Sequence, residues 1–194
     1  MDGERAPHEN LSPCRRKAVF LDRDGVINRN VVRGNVTHPP DRIEDFELLP
    51  GVIETAQRLV RAGFVLVVVT NQPDVARGKQ KREVVERMND VVRSVLPVLD
   101  VLACYHDGSD HCPCRKPKPG MLLEAARRWD LDLERSFMVG DRWSDVLAGQ
   151  AAGCRTVLLA NPYSGADRCR PNHTAATLPA AADWILTFPI EEDQ

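Results

Sequence analysis

The segment FVLVVV, residues 64–69, is apolar at every position and runs directly into Thr70 and Asn71. A strand with one face in water alternates apolar and polar residues, so a run without alternation has both faces covered. KAVFLD (17–22), VLDVLACYH (98–106), RSFMVGD (135–141) and RTVLLA (155–160) read the same way. Helical segments lie between them. PGVIETAQRLVRAG (50–63) opens with Pro50 and closes with Gly63. KREVVERMNDVVRSVL (81–96) places Val84, Val85, Met88, Val91, Val92 and Val95 on one face. GMLLEAARRWDL (120–131), WSDVLAGQAAG (143–153) and the short AAADWIL (180–186) complete the series. Buried strands that alternate with helices predict an α/β fold, a doubly wound parallel sheet covered on both sides. The expected organisation is one domain over residues 17–190, preceded by a flexible arm over residues 1–16.

In such sheets a ligand sits beyond the carboxyl ends of the strands. The residues that end these strands are polar and charged. The first strand delivers Asp22 and Asp24, and the second delivers Thr70, Asn71 and Gln72. The fourth delivers Gly140, Asp141 and Arg142, with Asp145 close behind. Arg115 and Lys116 follow the third strand. Either of the first two aspartates alone reads as a turn residue before glycine. Together the groups read as a site. Clustered carboxylates need a cation, and a few hard oxygen ligands suit Mg²⁺, which also accepts substrate phosphate. Lys116 and Arg115 add positive charge, and Thr70 and Asn71 add donors. The set fits phosphoryl transfer, where positioning and charge neutralisation dominate. One carboxylate can attack phosphorus, and a second two residues on can move the proton.

CYHDGSDHCPC holds Cys104, His106, Cys112 and Cys114, a C-x-H-x5-C-x-C pattern. Three thiolates and an imidazole make a closed tetrahedral zinc set, which is a structural site. It would pin the loop that carries Arg115 and Lys116. His111 competes with His106, but it adjoins Cys112. Cys14, Cys154 and Cys169 have no evident partner, and His8, His38 and His173 read as isolated surface residues.

Composition excludes other classes. The net charge of −2 and 5% aromatic content give neither a basic field nor a base-stacking surface, so no nucleic-acid partner is expected. No apolar run reaches membrane-spanning length, and the N-terminus lacks the apolar stretch of a secretory signal. The expectation is a cytoplasmic, monomeric protein with no membrane partner.

FLDRDGVIN, VVTNQ, CRKPKPGML and MVGDRWSD resemble the four motifs of the haloacid dehalogenase-like (HAD) phosphatases. More closely, the chain is similar to the branch that holds the heptose-bisphosphate phosphatases and the histidinol-phosphatases. The similarity runs from about residue 18 to residue 159. The resemblance implies a capless HAD-like fold with a small zinc-binding loop. It implies hydrolysis of the 7-phosphate of D-glycero-D-manno-heptose 1,7-bisphosphate, a small-molecule sugar bisphosphate, through an aspartyl-phosphate. The alternative substrate is histidinol phosphate or another small sugar phosphate, and a further alternative is a non-catalytic phosphate- or metal-binding scaffold. Asp22 would be the nucleophile and Asp24 the general acid/base. Asp22, the backbone carbonyl of Asp24 and Asp141 would hold Mg²⁺. Thr70 and Asn71 would contact the transferring phosphoryl group, and Lys116 would neutralise its charge. Gln72, Pro73, Arg115 and Arg142 would meet substrate, Arg142 at the second phosphate. Zinc, a structural cofactor in close relatives, would sit on the Cys/His set. Arg33 and Arg77 are candidate phosphate or sugar contacts, with solvated loop arginines as the equal alternative.

Overall fold

A computed structural model describes residues 15–34 and 36–188. Most of the arm expected over residues 1–16, including His8 and Cys14, lies outside the described residues. In chain order the elements are β1 (Arg16–Leu21), β2 (Val31–Arg33), β3 (Val36–His38), α1 (Val52–Arg61), β4 (Val65–Asn71), α2 (Arg82–Val95), β5 (Val98–Cys104), α3 (Gly120–Trp129), β6 (Leu131–Gly140), α4 (Trp143–Ala152), β7 (Arg155–Leu159), β8 (His173–Ala175) and α5 (Leu178–Ile185). Six strands form one sheet in the order β5-β4-β1-β6-β7-β8. Every neighbouring pair in it is parallel.

Period-two alternation sorts the core into two layers. Val19 and Leu21 of β1, Leu66 and Val68 of β4, and Phe137 and Val139 of β6 face one layer, with Leu59 of α1, Val92 of α2 and Ile185 of α5. Ala18 and Phe20, Val67 and Val69, and Met138 face the other, with Leu122 of α3 and Ala148 of α4. Helices thus cover both faces, which explains the unbroken apolar runs. Phe137 anchors the first layer with edge-on contacts to Phe64, Trp184 and Phe188.

The structure differs from the expected elements in several places, and the helix expected over 120–131 stops at Trp129, with Leu131 opening β6. Arg16, assigned to the arm, opens β1, where its amide donates to the Asp130 carbonyl at 3.2 Å. β6 begins at Leu131, four residues before the expected strand over 135–141, and its register against β1 shifts between Lys17 and Val19. Ser136 Oγ fills that irregularity by accepting from Ala18 N at 2.8 Å. The β2–β3 hairpin and β8 are further strands, each of three residues. The hairpin and the loop around it occupy the stretch between Asp24 and α1, and among the described residues no separate α/β unit stands between β4 and α2. Among the described residues no helix is long and apolar enough to cross a membrane.

The sheet order reverses at β1, with β4 on one side and β6 on the other. A doubly wound sheet opens a crevice at such a switch point. Asp22, Gln72 and Asp141 directly follow the three central strands there.

Candidate active site

A cleft of about 490 Å³ opens over the ends of β1 and β4. Asp22, Asp24, Asn71, Pro73, Arg115, Lys116 and Arg142 all line it. Thr70, Gln72 and Asp141 lie beneath its surface, exposed by 2% or less.

Asp22 continues the line of β1, its amide donating to Val139 O at 2.9 Å. Its Oδ1 accepts from Arg23 N at 2.8 Å and lies 2.9 Å from Lys116 Nζ. The same ammonium stands 2.6 Å from Asp145 Oδ1 and donates to Val69 O at 2.7 Å. All three Lys116 donors are therefore engaged inside the protein. Burial opposes the charge on Lys116, but Asp145 and Asp22 outweigh it and hold the group above the ordinary lysine range. Burial pushes the Asp22 carboxyl up to about 7, against the pull of Lys116. Burial, with Asp22 and Asp145 adding repulsion, raises Asp141 well above the usual carboxylate range.

Two glycines let these groups converge. Gly25 has φ +87°, and a Cβ there would lie 2.2 Å from Asp141 Oδ2. A Cβ on Gly140 would lie 2.1 Å from the Asp145 Cβ. Asp141 Oδ2 accepts from Asn30 Nδ2 at 3.0 Å, and its backbone carbonyl accepts from Asn161 Nδ2 at 3.1 Å. Its Oδ1 is buried and has no hydrogen-bond partner among the described residues. Oxygens of Asp22, Asp141 and Asp145 lie within 4.8 Å of one another. A buried orphan oxygen inside a carboxylate cluster fits a small hard cation. Asp145 uses its second oxygen to accept from Arg142 N at 3.0 Å, capping α4. That leaves Asp22 and Asp141 as the carboxylates best placed to hold such an ion.

Asn71 grips the next loop through its side chain. Its Nδ2 donates to Lys116 O at 3.0 Å and its Oδ1 accepts from Lys116 N at 3.1 Å. Gln72, expected at the substrate, is buried, and its Nε2 donates to Asp24 Oδ2 at 2.7 Å and Thr70 Oγ1 at 2.8 Å. Arg142 reaches across to the hairpin, donating from Nη2 to Thr37 O at 2.9 Å and Thr37 Oγ1 at 2.7 Å. Arg77 lines the cleft but is tied to Asp74 at 3.2 Å and Asp107 at 2.6 Å. Arg33 pairs with Asp41 on the surface and does not line the cleft. His38, read as an isolated surface residue, lines the cleft, and His173 stacks on Trp184 at 4.8 Å.

Sequence reasoning gave no role to Asp145, Asn30 or Thr37. Asp145 carried a signal, an acid at the third position of a helix, where capping is common. Nothing in the sequence marks Asn30 or Thr37, because their partners are distant in the chain.

The expected zinc set is assembled at the end of β5. Cys104 Sγ lies 3.7 Å from Cys112 Sγ and 3.2 Å from Cys114 Sγ, and the Cys112–Cys114 separation is 3.4 Å. His106 Nδ1 is 3.7 Å from Cys104 Sγ and 3.3 Å from Cys114 Sγ. Ligands around one tetrahedral Zn²⁺ stand about 3.8 Å apart sulfur to sulfur and about 3.5 Å sulfur to nitrogen. The separations of 3.2–3.7 Å lie at or somewhat inside that spacing, so the four groups already converge on one point. The carbonyl of His106 accepts from Arg115 Nη1 at 3.3 Å, which joins the cluster to the cleft.

Residues 113–181 match a HAD-hydrolase-like family model. The D-glycero-beta-D-manno-heptose-1,7-bisphosphate 7-phosphatase of Helicobacter pylori strain J99 is 39% identical over 149 residues, 74% of this chain and 82% of that protein. The D-glycero-alpha-D-manno-heptose-1,7-bisphosphate 7-phosphatase of Photorhabdus laumondii is 37% identical over 163 residues, 76% of this chain and 86% of that protein. The crystal structure of D,D-heptose 1,7-bisphosphate phosphatase from B. bronchiseptica, complexed with magnesium and phosphate, superposes with a TM-score of 0.76 at 30% identity. That match covers 88% of this chain and 98% of the other.

Proposed function

This chain belongs to the HAD-like phosphatase family, and from that membership we propose that it hydrolyses the 7-phosphate of D-glycero-D-manno-heptose 1,7-bisphosphate. The observation that carries the reading is the buried Asp22–Lys116–Asp145 bridge beside Asp141 Oδ1, which accepts no hydrogen bond among the described residues. It sets a carboxylate nucleophile, a fixed cation and a buried carboxylate oxygen that accepts no hydrogen bond at one strand-end crevice.

Both donors to Asp22 fall on Oδ1, and Oδ2 is the oxygen we assign to attack on phosphorus. As the Oδ2–phosphorus bond forms, the bond from phosphorus to the C7 oxygen breaks, and Asp24 gives that oxygen its proton. A water molecule then attacks the aspartyl-phosphate, its proton passes to Asp24, and phosphate leaves with Asp22 restored. Lys116, held by Asp145 and Val69 O, keeps a positive charge next to the phosphoryl oxygens without reorganising. Asn71 fixes the backbone on both sides of Lys116, so β4 sets the height of the ammonium. Asp22, Asp141 and the backbone carbonyl of Asp24 would hold Mg²⁺. When bound, the ion neutralises the carboxylates and polarises the phosphoryl oxygens. Zinc on Cys104, His106, Cys112 and Cys114 would be structural, fixing the loop that carries Arg115 and Lys116.

Relatives named for both anomers match this chain, so anomer choice rests on the cleft loops. Arg142, braced by Thr37, is the group we assign to the second phosphate. The test is phosphate release with Mg²⁺, comparing kcat/KM for the two heptose bisphosphate anomers and histidinol phosphate. A preference for a heptose anomer supports the reading. A preference for histidinol phosphate overturns the substrate and leaves the chemistry.

A further inference from the structure

Arg23, between the two strand-end aspartates, heads the fully buried side chains by size, at 0% exposure. Its Nη2 donates to both Asp24 oxygens, at 3.1 and 3.0 Å, and Nε donates to Oδ1 at 3.3 Å. Its Nη1 donates to Asn89 Oδ1 at 2.8 Å. Asn89 is itself fully buried on α2, and the Phe46 ring lies 5.8 Å from the guanidinium. Asn28 Nδ2 donates to Asp24 Oδ1 at 3.0 Å, and Gln72 Nε2 holds Oδ2. The carboxylate is therefore gripped from its own loop, from the end of β4 and, through Arg23, from α2.

A buried ion pair is a poor source of stability, since well-packed apolar residues often serve as well or better. A planar guanidinium fork does supply geometry, because it fixes the plane of the carboxylate it meets. Geometry is what a proton donor on a loop lacks. We propose that Arg23, locked by Asn89, is a positioning residue that aims Asp24 at the leaving oxygen. The proposal rests on the phosphatase reading above. In the step concerned, the Asp24 proton passes to the C7 oxygen as its bond to phosphorus breaks. Arg23 touches neither atom and acts through Asp24. Lysine in its place would keep the charge but could not span Asp24 and Asn89 together.

The test exploits the leaving group. A sugar alkoxide needs a proton as it departs, whereas nitrophenolate departs without one. kcat/KM is measured for wild type, Arg23→Lys and Asn89→Ala with the heptose bisphosphate and with p-nitrophenyl phosphate. A misaimed acid costs about 10²-fold on the sugar substrate and about threefold or less on the aryl substrate, with KM nearly unchanged. Asn89→Ala leaves the Arg23–Asp24 pair intact and keeps the test open if Arg23→Lys does not fold. Equal losses on both substrates would mark fold damage and overturn the proposal. Unchanged rates on both would overturn it too. If wild type hydrolysed neither substrate, the phosphatase reading itself would fall, an outcome distinct from the other two.

Discussion

Lys116 Nζ lies 2.6 Å from Asp145 Oδ1, and both side chains are only 1% exposed. The pair joins the loop after β5 to the first turn of α4. The ammonium balances Asp22 and Asp145 at once, so its removal leaves buried like charges facing one another. Lys116→Met should lower kcat by about 10²–10³-fold, the usual cost of losing a preorganised charge partner. It should also destabilise the metal-free protein by about 3–5 kcal/mol, as expected when one member of a buried pair is deleted. Steady-state kinetics and urea unfolding check both effects.

The raised Asp22 carboxyl sets a pH dependence. Its folded value is about 7 against an ordinary 3.8, so the native state holds the proton more tightly than the unfolded chain. Stability of the metal-free protein from this group is therefore lost as pH rises from about 4 to about 7. Mg²⁺ competes with that proton, so its affinity should climb through the same window. Thermal unfolding of wild type and Asp22→Asn, with and without Mg²⁺, isolates the effect. The metal-free wild type should lose ground to the variant as pH rises, and saturating Mg²⁺ should restore it.

The Cys/His cluster predicts near one zinc per chain. Burial and the neighbouring Cys114 and Cys112 thiols push the metal-free Cys104 thiol up to about 12, so zinc uptake must release protons and weaken at low pH. Cys112→Ser should lose zinc, lower Tm and reduce turnover, because Arg115 and Lys116 ride on the same loop. Metal analysis of the purified variant beside its melting curve checks this. Full zinc content with an unchanged Tm would count against a structural site.

Arg142 and Thr37 predict a substrate-specific effect. Thr37→Val removes the hydroxyl that accepts from Arg142 Nη2 while leaving the carbonyl contact. KM for the bisphosphate should rise several-fold, by about 1 kcal/mol of lost alignment, while a sugar monophosphate is processed as before. Equal effects on the two substrates would detach Arg142 from the second phosphate.

The sheet and its crevice were legible because β1, β4 and β6 each hold an unbroken apolar run that leads into polar or charged residues. What stayed hidden had no local signal. β8 and the hairpin strands have three residues each, too few for a period to register. The start of β6 reads LDLERS, a polar stretch that pairs only because β1 reaches beyond its apolar run. At the site, DRD, TN, RK and GD name the residues that converge. They do not tell which side chains face the cleft and which brace it. Gln72 follows Asn71 directly, yet strand alternation turns it inward onto Asp24 and Thr70. Asp145, placed near the strand-end group without a role, proves both to cap α4 and to partner Lys116.

The most direct test of the central claim is phosphate release from D-glycero-D-manno-heptose 1,7-bisphosphate with Mg²⁺, by wild type and by Asp22→Asn of equal Tm. The account predicts turnover by wild type and a loss of about 10³-fold or more in the variant, since Asp24 and Asp145 are held by neighbouring donors and Asp141 is assigned to the metal. Turnover by Asp22→Asn at the wild-type rate would contradict it.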